Sequence, residues 1–261
     1  MSAVFSAGDL VEATGGFWRG GVLPCGAIHG VSTDSRADVS GRLFIAIRGD
    51  QHDGHGYVGS ALSGGASCVM VDREAELSEE DLPALVVDDT VVAMGRLASW
   101  HRSRLTGTTV VGITGSCGKT TTKHLLDSVL GVSMQGVAAE RSFNNSIGVP
   151  LTLLRASADD AYVIVEIGTN APGEVGALAA MARPDVSVVH VLSRRIWRGS
   201  VRLRRLVGRS HRFTDPGRVI HLRAVRRWIE CRRRRCRRTS SVSDGRRMTM
   251  YRWHRWVWLA G

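Results

Sequence analysis

Lysine is almost absent from this sequence. Only Lys119 and Lys123 occur among 261 residues, and every other basic residue is arginine. A lysine ammonium is a compact charge on a flexible stem, which suits it to contacts with phosphate groups. A chain that otherwise avoids lysine but keeps it in one short segment therefore indicates phosphate chemistry in that segment.

Long apolar runs are also missing. No stretch approaches the roughly 18 apolar residues that a membrane-spanning helix needs, and residues 1–10 lack the basic start of a secretory signal. The cysteines are scattered and odd in number, which favours a reducing cytoplasm over a disulfide framework. They are Cys25, Cys68, Cys117, Cys231 and Cys236. We expect a cytoplasmic protein with no membrane partner.

The charge is unevenly distributed along the chain. The formal net charge is +11, yet residues 1–192 hold 13 Lys and Arg against 21 Asp and Glu. Residues 193–261 hold 22 Arg, three acidic residues and five of the seven tryptophans. The basic excess that would suggest a nucleic-acid partner therefore belongs only to the tail.

The segment that contains both lysines resembles a phosphate-binding loop. Residues 112–122 read GITGSCGKTTT, between an apolar run at 109–111 and a helical pattern at 123–130. A glycine-rich turn between strand and helix exposes backbone N–H groups to phosphate. Lys119 would reach the outer phosphates and the Thr120 hydroxyl would sit on Mg²⁺. The strict pattern needs glycine where Ile113 stands, so an ordinary tight turn is the alternative.

The first 88 residues have the pattern of a small α/β domain. Apolar runs at 43–47, 68–71 and 85–87 predict strands, and residues 57–63 predict a short helix between them. A helix with apolar periodicity is predicted over 90–105, where it would connect to the next domain.

The following segment alternates strands and helices. Strands are predicted at 162–167 and 185–189, with a helix at 174–182 between them, which implies a parallel sheet. Ligands of such sheets bind at the carboxyl ends of the strands. Glu166 lies near the end of its strand, so its carboxylate could hold Mg²⁺. A solvated acid at a strand end is the alternative.

The predicted fold class is α/β, with three segments. Residues 1–88 form a small domain and residues 89–192 form an incomplete parallel-sheet ATP-binding domain with a phosphate loop. Residues 193–261 form a disordered basic tail rich in Arg and Trp.

Four ordered stretches resemble the Mur ligases, the ATP-dependent enzymes that add amino acids to the cell-wall precursor UDP-N-acetylmuramate. The first combines VSTDSR at 31–36, LFIAIRGD at 43–50 and DGH at 53–55, and is similar to the family's UDP-sugar-binding domain. The second is the phosphate loop, including its departure from the strict pattern. NNSIGVPLTLL at 144–154 and EIGTNAPGEV at 166–175 resemble the branch that adds D-alanyl-D-alanine.

The resemblance implies a set of site residues. Catalytic roles fall to Lys119 and Glu166, and Mg²⁺ ligation falls to Thr120 and Glu166. The ATP-contacting residues would be Thr114, Gly115, Ser116, Cys117, Gly118, Lys119, Thr120, Thr121, Asn144 and Asn145. The residues lining the UDP-sugar site would be Ser32, Asp34, Ser35, Arg36 and His55.

The resemblance also implies a reaction in peptidoglycan precursor synthesis. The carboxylate of UDP-N-acetylmuramoyl-tripeptide attacks the γ-phosphate of ATP, and the amine of D-alanyl-D-alanine then displaces phosphate from the acyl phosphate. The cofactors would be ATP and Mg²⁺. The protein's part is to neutralise phosphoryl charge and to align the reactants.

The resemblance stops near residue 190. The family continues with Ala-His-Leu-Glu-Gly-Phe-Gly and a helix that carries a metal-supporting lysine, whereas residues 195–200 read RIWRGS and no lysine follows Lys123. These six residues can be encoded as CGC ATT TGG AGG GGT TCG. Read from a G one base earlier, the same bases encode Ala-His-Leu-Glu-Gly-Phe. We infer a reading-frame shift near residues 189–194, which the gene's DNA would test, and we expect impaired or absent ligase activity.

The arginine-rich tail has two interpretations. Arg232–Arg235 within the basic run at 223–238, with Trp253, Trp256 and Trp258, resembles a nucleic-acid-binding arm. Out-of-frame translation of GC-rich DNA is the interpretation we favour, with non-specific adhesion to RNA as its consequence. A nucleotide-binding module without ligase activity and an Arg-rich nucleic-acid-binding protein are therefore the alternative functions.

Overall fold

Two sheets of mainly parallel strands form the frame of the molecule. The computed structural model describes residues 3–49, 52–168, 171, 173–189 and the backbone of 218–221. The strands are β1 Val4–Phe5, β2 Phe17–Trp18, β3 Ile28–His29, β4 Val31–Ser32, β5 Leu43–Ile45, β6 Cys68–Asp72, β7 Ala84–Val87, β8 Thr109–Thr114, β9 Gly136–Ala138, β10 Tyr162–Ile167, β11 Val186–Val189 and β12 Arg218–His221. The α-helices are α1 Ala7–Thr14, α2 Val58–Ser63, α3 Thr90–Arg104, α4 Lys119–Leu130, α5 Gly148–Leu154 and α6 Glu174–Ala182.

The first sheet has the strand order β2-β7-β6-β5-β4. Strands β4 to β7 are parallel to their neighbours, and β2 joins the edge antiparallel to β7. The residues of β7 and the first four of β6 are buried, which is why both strands read as continuous apolar runs rather than as alternating patterns. A separate antiparallel pair is formed by β1 and β3.

The second sheet is wholly parallel, with the order β12-β11-β8-β10-β9. Strand β8 is central, and the phosphate-loop segment connects it directly to α4. In the register between β8 and β10, Glu166 lies opposite Ile113 and Ile167 lies opposite Thr114. The carboxyl ends of the two strands therefore meet at one edge. These two sheets confirm the predicted α/β class.

One buried apolar core joins the two sheets through α3. It includes Leu43 and Leu85 of the first sheet, Leu97 of α3, and Leu153 and Val163 of the second part. Helix α3 begins after Asp89, whose carboxylate accepts a hydrogen bond from the backbone N–H of Val92 at 2.8 Å. The described residues fall in one compact unit, so the domain boundaries stay a prediction.

Some elements differ from the sequence-based expectation. Helix α4 begins at Lys119 rather than at residue 123, because the left-handed turn at Gly118 opens the helix and three threonines form its first turn. Helices α1 and α5 and strand β9 were not predicted. Residues 218–221 form a strand beside β11, so these four residues differ from the expected disordered tail. An edge strand offers unpaired backbone groups that a further strand can bond.

Several predictions fall outside the described residues. They are those for the remainder of the tail, residues 190–194 of the frame shift inferred near 189–194, Cys231 and Cys236, and positions 169, 170 and 172 of the fourth stretch. Across the described part of the chain, none of the helices combines the length and the apolar character needed to cross a bilayer.

Candidate functional site

The loop between β8 and α4 has the backbone form of a phosphate cradle. Gly115 has φ of 145° and Gly118 has φ of 80°, both in the region that residues with a Cβ rarely adopt. Gly118 is the N-cap of α4 and supplies no side-chain cap to the first turn. The backbone N–H groups of that turn are therefore available to an anion at the positive end of the helix dipole.

Four side chains meet beside this loop. Lys119 bends back across it, and its Nζ donates to the carbonyl of Gly115 at 2.8 Å. The Thr120 hydroxyl donates to Oε2 of Glu166 at 3.0 Å. The Asn144 amide donates from Nδ2 to Oε1 of the same carboxylate at 3.1 Å. Both oxygens of Glu166 are thus held, one from α4 and one from the loop before α5.

The Glu166 carboxylate is almost wholly buried, with 1% of the residue exposed. It is the penultimate residue of β10, among apolar neighbours on a strand that is buried along its length. A carboxylate in such a place needs partners for its lone pairs, and Thr120 and Asn144 are those partners. The structure therefore places Glu166 against the loop rather than in solvent.

Asn144 has space beside Glu166 because the residue directly after β10, Gly168, has no side chain. The backbone N–H of Gly168 donates to the Asn144 carbonyl at 2.8 Å. A Cβ at Gly168 would lie 2.7 Å from the Asn144 side chain, closer than real contacts allow. A larger residue at this position would therefore push the Asn144 amide away from Glu166.

The oxygen donors at the loop suit a magnesium ion. Mg²⁺ prefers oxygen ligands, is bound by one or two carboxylates, and keeps several waters or phosphate oxygens. Thr120 and Glu166 supply one hydroxyl and one carboxylate 3.0 Å apart. No group of three or more His, Cys, Asp or Glu side chains suited to a metal occurs within the described residues, and this donor set is instead the kind that a nucleotide's phosphates complete.

The other predicted ATP-contacting residues have more varied positions. Thr114 and Ser116 are half-buried, and Cys117 and Thr121 are exposed. Asn145 has a different task from its neighbour, because its Oδ1 accepts from the backbone N–H groups of Ile147 at 3.2 Å and Gly148 at 2.9 Å. Its amide therefore caps the start of α5.

The residues predicted for the UDP-sugar site lie on the other sheet, at the carboxyl ends of its parallel strands. The Ser32 hydroxyl, at the end of β4, accepts from the backbone N–H of Asp34 at 3.2 Å. Arg36 forms a two-point contact with Asp34, with Nε–Oδ1 and Nη2–Oδ2 distances of 2.9 Å each. The hydrogen bonds from Arg36 lower the pKa of Asp34 to about 2. Asp34 is therefore ionised at neutral pH, and Ser35 lies half-buried between the pair.

His55 is enclosed by a network that links two loops of that edge. Its Nε2 accepts from the backbone N–H of Asp72 at 3.1 Å, so the ring proton is on Nδ1, which donates to Asp53 at 2.6 Å. Hydrogen bonds from His55, first from its backbone N–H, lower the pKa of Asp53. Arg48 completes the network with Nη2 3.1 Å from Asp72.

Sequence analysis assigned no role to Arg48 and Asp72, which belong to the network around His55. It also assigned none to Lys123, whose Nζ donates to the main-chain carbonyl of Arg141. Arg48 and Asp72 follow strands β5 and β6, so the parallel arrangement of those strands was the signal that could have placed them together. For Lys123 the signal was the scarcity of lysine.

The fold and the loop define a class first: an α/β protein with a parallel sheet and a turn of the phosphate-loop type between β8 and α4. Two family models match this chain, "Mur ligase family, catalytic domain" over residues 27–102 and "Mur ligase middle domain" over residues 113–195. The chain belongs to the Mur ligase family.

Similar proteins narrow the comparison to one branch. The chain is 40% identical over 162 residues to the UDP-N-acetylmuramoyl-tripeptide--D-alanyl-D-alanine ligase of Bacillus subtilis, covering 62% of this chain and 35% of that protein. It is 36% identical over 166 residues to the Escherichia coli protein of the same name, covering 64% and 36%. A crystal structure of MurF from Acinetobacter baumannii matches with a TM-score of 0.66 at 31% identity, covering 72% of this chain and 41% of that one. The aligned part thus spans about a third of the length of these curated relatives.

Proposed function

We propose that this chain binds ATP with Mg²⁺ at the β8–α4 loop and a UDP-N-acetylmuramoyl-tripeptide at the edge of the first sheet. These would be the nucleotide and acceptor sites of a ligase that adds D-alanyl-D-alanine. The observation that carries the proposal is the arrangement of Lys119, Thr120, Asn144 and Glu166 around one loop. The names of the two curated relatives support the substrate class.

Lys119 is the residue that we assign to the outer phosphates. Its ammonium lies across the loop on the Gly115 carbonyl at 2.8 Å, so a short swing of the side chain brings it over a phosphate bound to the loop's N–H groups. A charged hydrogen bond of this kind contributes about 1.5–3 kcal/mol. The ammonium would stabilise the negative charge that spreads over the phosphoryl oxygens during transfer.

Thr120 and Glu166 are the residues that we assign to the metal. When bound, Mg²⁺ supplies positive charge to the β- and γ-phosphate oxygens. Asn144 donates to the Glu166 oxygen that Thr120 does not contact, so it sets the direction in which the carboxylate faces. Partners of ligating groups of this kind commonly change metal affinity by about 10–100-fold.

The first sheet supplies the acceptor site in this proposal. Arg36 is 88% exposed at its side chain although it is paired with Asp34, so its remaining N–H groups can reach a diphosphate or a carboxylate of the ligand. Ser32 and Ser35 lie on the same turn. His55 is 10% exposed at its side chain and is bonded on both ring nitrogens, so we assign it to holding the loop rather than to contact with the sugar nucleotide.

The proposed reaction has two steps. The tripeptide carboxylate attacks the γ-phosphorus of ATP, which breaks the bond to the β–γ bridging oxygen and gives an acyl phosphate and ADP. The amine of D-alanyl-D-alanine then attacks the acyl carbon, and inorganic phosphate leaves as the amide forms. In the first step, Lys119 neutralises negative charge on the phosphates of ATP.

The test of the proposal is ATP binding by the purified chain, measured by calorimetry with and without Mg²⁺. Lys119→Met is expected to weaken binding by at least about tenfold, because a charged hydrogen bond to phosphate is lost. Arg104→Gln is the matched control, since it removes one positive charge at an exposed position of α3. Equal affinities for the wild type, the loop variant and the control would refute the proposal.

Measuring turnover distinguishes ligation from a second candidate function, nucleotide binding without ligase activity. Release of phosphate that requires both the tripeptide precursor and D-alanyl-D-alanine supports ligation by this chain. ATP binding without such release favours a nucleotide-binding protein that lacks ligase activity. The aligned part spans about a third of the relatives' length, and this is the observation that favours testing the second function.

A further inference from the structure

Lys123 is the second of the two lysines, and its side chain is fully buried. It lies on α4, one turn beyond Lys119, and 0% of it is exposed. Lysine is almost never buried completely unless its ammonium is paired. Here Nζ donates to the main-chain carbonyl of Arg141, and none of the ion pairs found among the described residues includes Lys123. Within the described residues this buried amine is bonded to a main-chain carbonyl rather than to a carboxylate, which needs an explanation beyond packing.

The carbonyl that Lys123 holds belongs to an unusual residue. Arg141 has φ of 44°, in the left-handed region that a residue with a Cβ adopts only where its surroundings enforce it. The Arg141 side chain is exposed and does not enforce that conformation by being buried. The Arg141 carbonyl accepts the hydrogen bond from the buried Nζ of Lys123.

The segment that contains Arg141 leads directly to the site. Residues 140–144 form a turn in which the N–H of Phe143 donates to the Glu140 carbonyl at 3.0 Å. The same segment ends at Asn144, which donates to Glu166. Lys123 therefore holds one end of this short segment from α4, and β10 holds the other end.

We propose that Lys123 is a positioning residue for the metal site. By fixing the Arg141 carbonyl, its buried ammonium sets the course of residues 140–144, so that the Asn144 amide holds the Glu166 carboxylate beside the Thr120 hydroxyl. This inference rests on the proposed ATP and magnesium site. The two lysines of α4 then have different roles. Lys119 contacts phosphate, and Lys123 orients the Glu166 carboxylate through residues 140–144.

The space around the side chain of residue 123 explains why it is a lysine rather than an arginine. Arginine, which the chain uses everywhere else, has a planar head with five N–H donors. A fully enclosed position with one carbonyl acceptor would leave most of those donors without partners, and each such group costs free energy. A slim ammonium at the end of an apolar stem fits the position with fewer unsatisfied donors.

The experiment separates positioning from mere stability by using the magnesium dependence of nucleotide binding. The dissociation constant for ATP is measured in EDTA and in excess Mg²⁺ for the full chain and for Lys123→Met. The wild type is expected to bind more tightly with Mg²⁺. Lys123→Met is expected to lose about tenfold of that enhancement, while its affinity in EDTA stays within about twofold because Lys119 is untouched.

The matched control is Leu126→Ala on the same helix. Leu126 packs against the apolar cluster of the second sheet, so its truncation is expected to lower the melting temperature without changing the magnesium enhancement. If Lys123→Met keeps the full enhancement, the inference is overturned and the proposed site still stands. If the wild type binds no ATP at all, the proposed function itself has failed.

A second pair of variants decides the matter if Lys123→Met does not fold. Arg141→Gly adopts a positive φ freely and is expected to keep the magnesium enhancement. Arg141→Pro locks φ near −65°, moves the carbonyl away from the ammonium, and is expected to lose the enhancement by about tenfold. An Arg141→Pro protein that responds to Mg²⁺ as the wild type does would overturn the inference.

Discussion

Neighbouring residues of one motif have different tasks in this structure. Asn144 donates to the buried carboxylate of Glu166, whereas Asn145 caps the start of α5 through its Oδ1. The resemblance to known sequences assigned both to the nucleotide. Their side chains leave the turn in different directions, so only the geometry of the turn separates an amide that holds a carboxylate from a helix cap.

Gly168 provides a test of the site at the scale of single atoms. An added Cβ would lie 2.7 Å from the Asn144 side chain, so Gly168→Ala is expected to displace that amide from Glu166. We expect the affinity for ATP with Mg²⁺ to fall by about tenfold, as when other partners of metal ligands are lost. Calorimetric titration with ATP and Mg²⁺ measures the effect.

The control for this variant is Gly176→Ala in α6, where an added Cβ meets nothing within 4 Å. Alanine is favoured over glycine inside a helix by about 1 kcal/mol, so this variant is expected to melt at a slightly higher temperature and to bind ATP normally. Unchanged binding by Gly168→Ala would show that the amide of Asn144 does not matter for the metal.

Among the elements, α3 connects the two sheets and carries a buried titratable group. His101 lies on its last turn, where Nε2 donates to the Ala156 carbonyl at 2.9 Å. The Phe5 ring meets it edge-on, with 5.6 Å between the ring centres. Burial lowers the pKa of His101 from its ordinary value, and the charge of Arg104 acts in the same direction.

A histidine with a lowered pKa makes the folded state weaker in acid. Below pH 6.5, the ordinary value for histidine, the unfolded chain binds a proton that the folded chain excludes. The free energy of unfolding is therefore expected to decrease from pH 7 to pH 5, with a contribution from His101 of up to about 1.4 kcal/mol per pH unit. Urea unfolding at several pH values measures the slope.

His101→Gln is the reference variant, because glutamine keeps an N–H donor and does not titrate. Its unfolding free energy is expected to change less between pH 7 and pH 5 than that of the wild type. Parallel pH profiles for the two proteins would mean that His101 is protonated in the folded state or is solvated there.

At the scale of the whole molecule, the shared core predicts cooperative unfolding. Leu97 lies in the middle of α3 with no exposed surface, in the cluster that includes residues of both sheets. Leu97→Ala is expected to lower the free energy of unfolding by about 2–5 kcal/mol. Because the core is continuous, hydrogen exchange is expected to accelerate in β6 of the first sheet and in β10 of the second.

Peptide-resolved hydrogen exchange measures both strands at once. Leu125→Ala is the matched control, since Leu125 is 63% exposed on α4 and its truncation is expected to change stability by no more than about 0.5 kcal/mol. Faster exchange in β10 with no change in β6 would show that the two sheets unfold as independent units despite the continuous core.

The amino-acid sequence by itself determined the longer buried strands and the glycine-rich turn between β8 and α4. The apolar runs of β6, β7 and β10 specify buried parallel strands, because both faces of such strands are covered. The glycine positions around Lys119 specify the phosphate loop, since only glycine adopts its backbone angles without strain. The capping box of Ser6 and Asp9 also specified α1 locally, with Oγ accepting from the Asp9 N–H at 3.1 Å, although its signal was overlooked.

The tertiary structure alone decided which side chains share a site. Glu166 is 46 residues from Thr120 along the chain, and only the parallel register of β8 and β10 brings their ends together. The burial of Lys123 and its bond to the Arg141 carbonyl depend on where a turn after β9 returns to α4. Local preferences act over a few residues, whereas contacts of this kind depend on how whole strands and helices pack, and so no pattern within a short window records them.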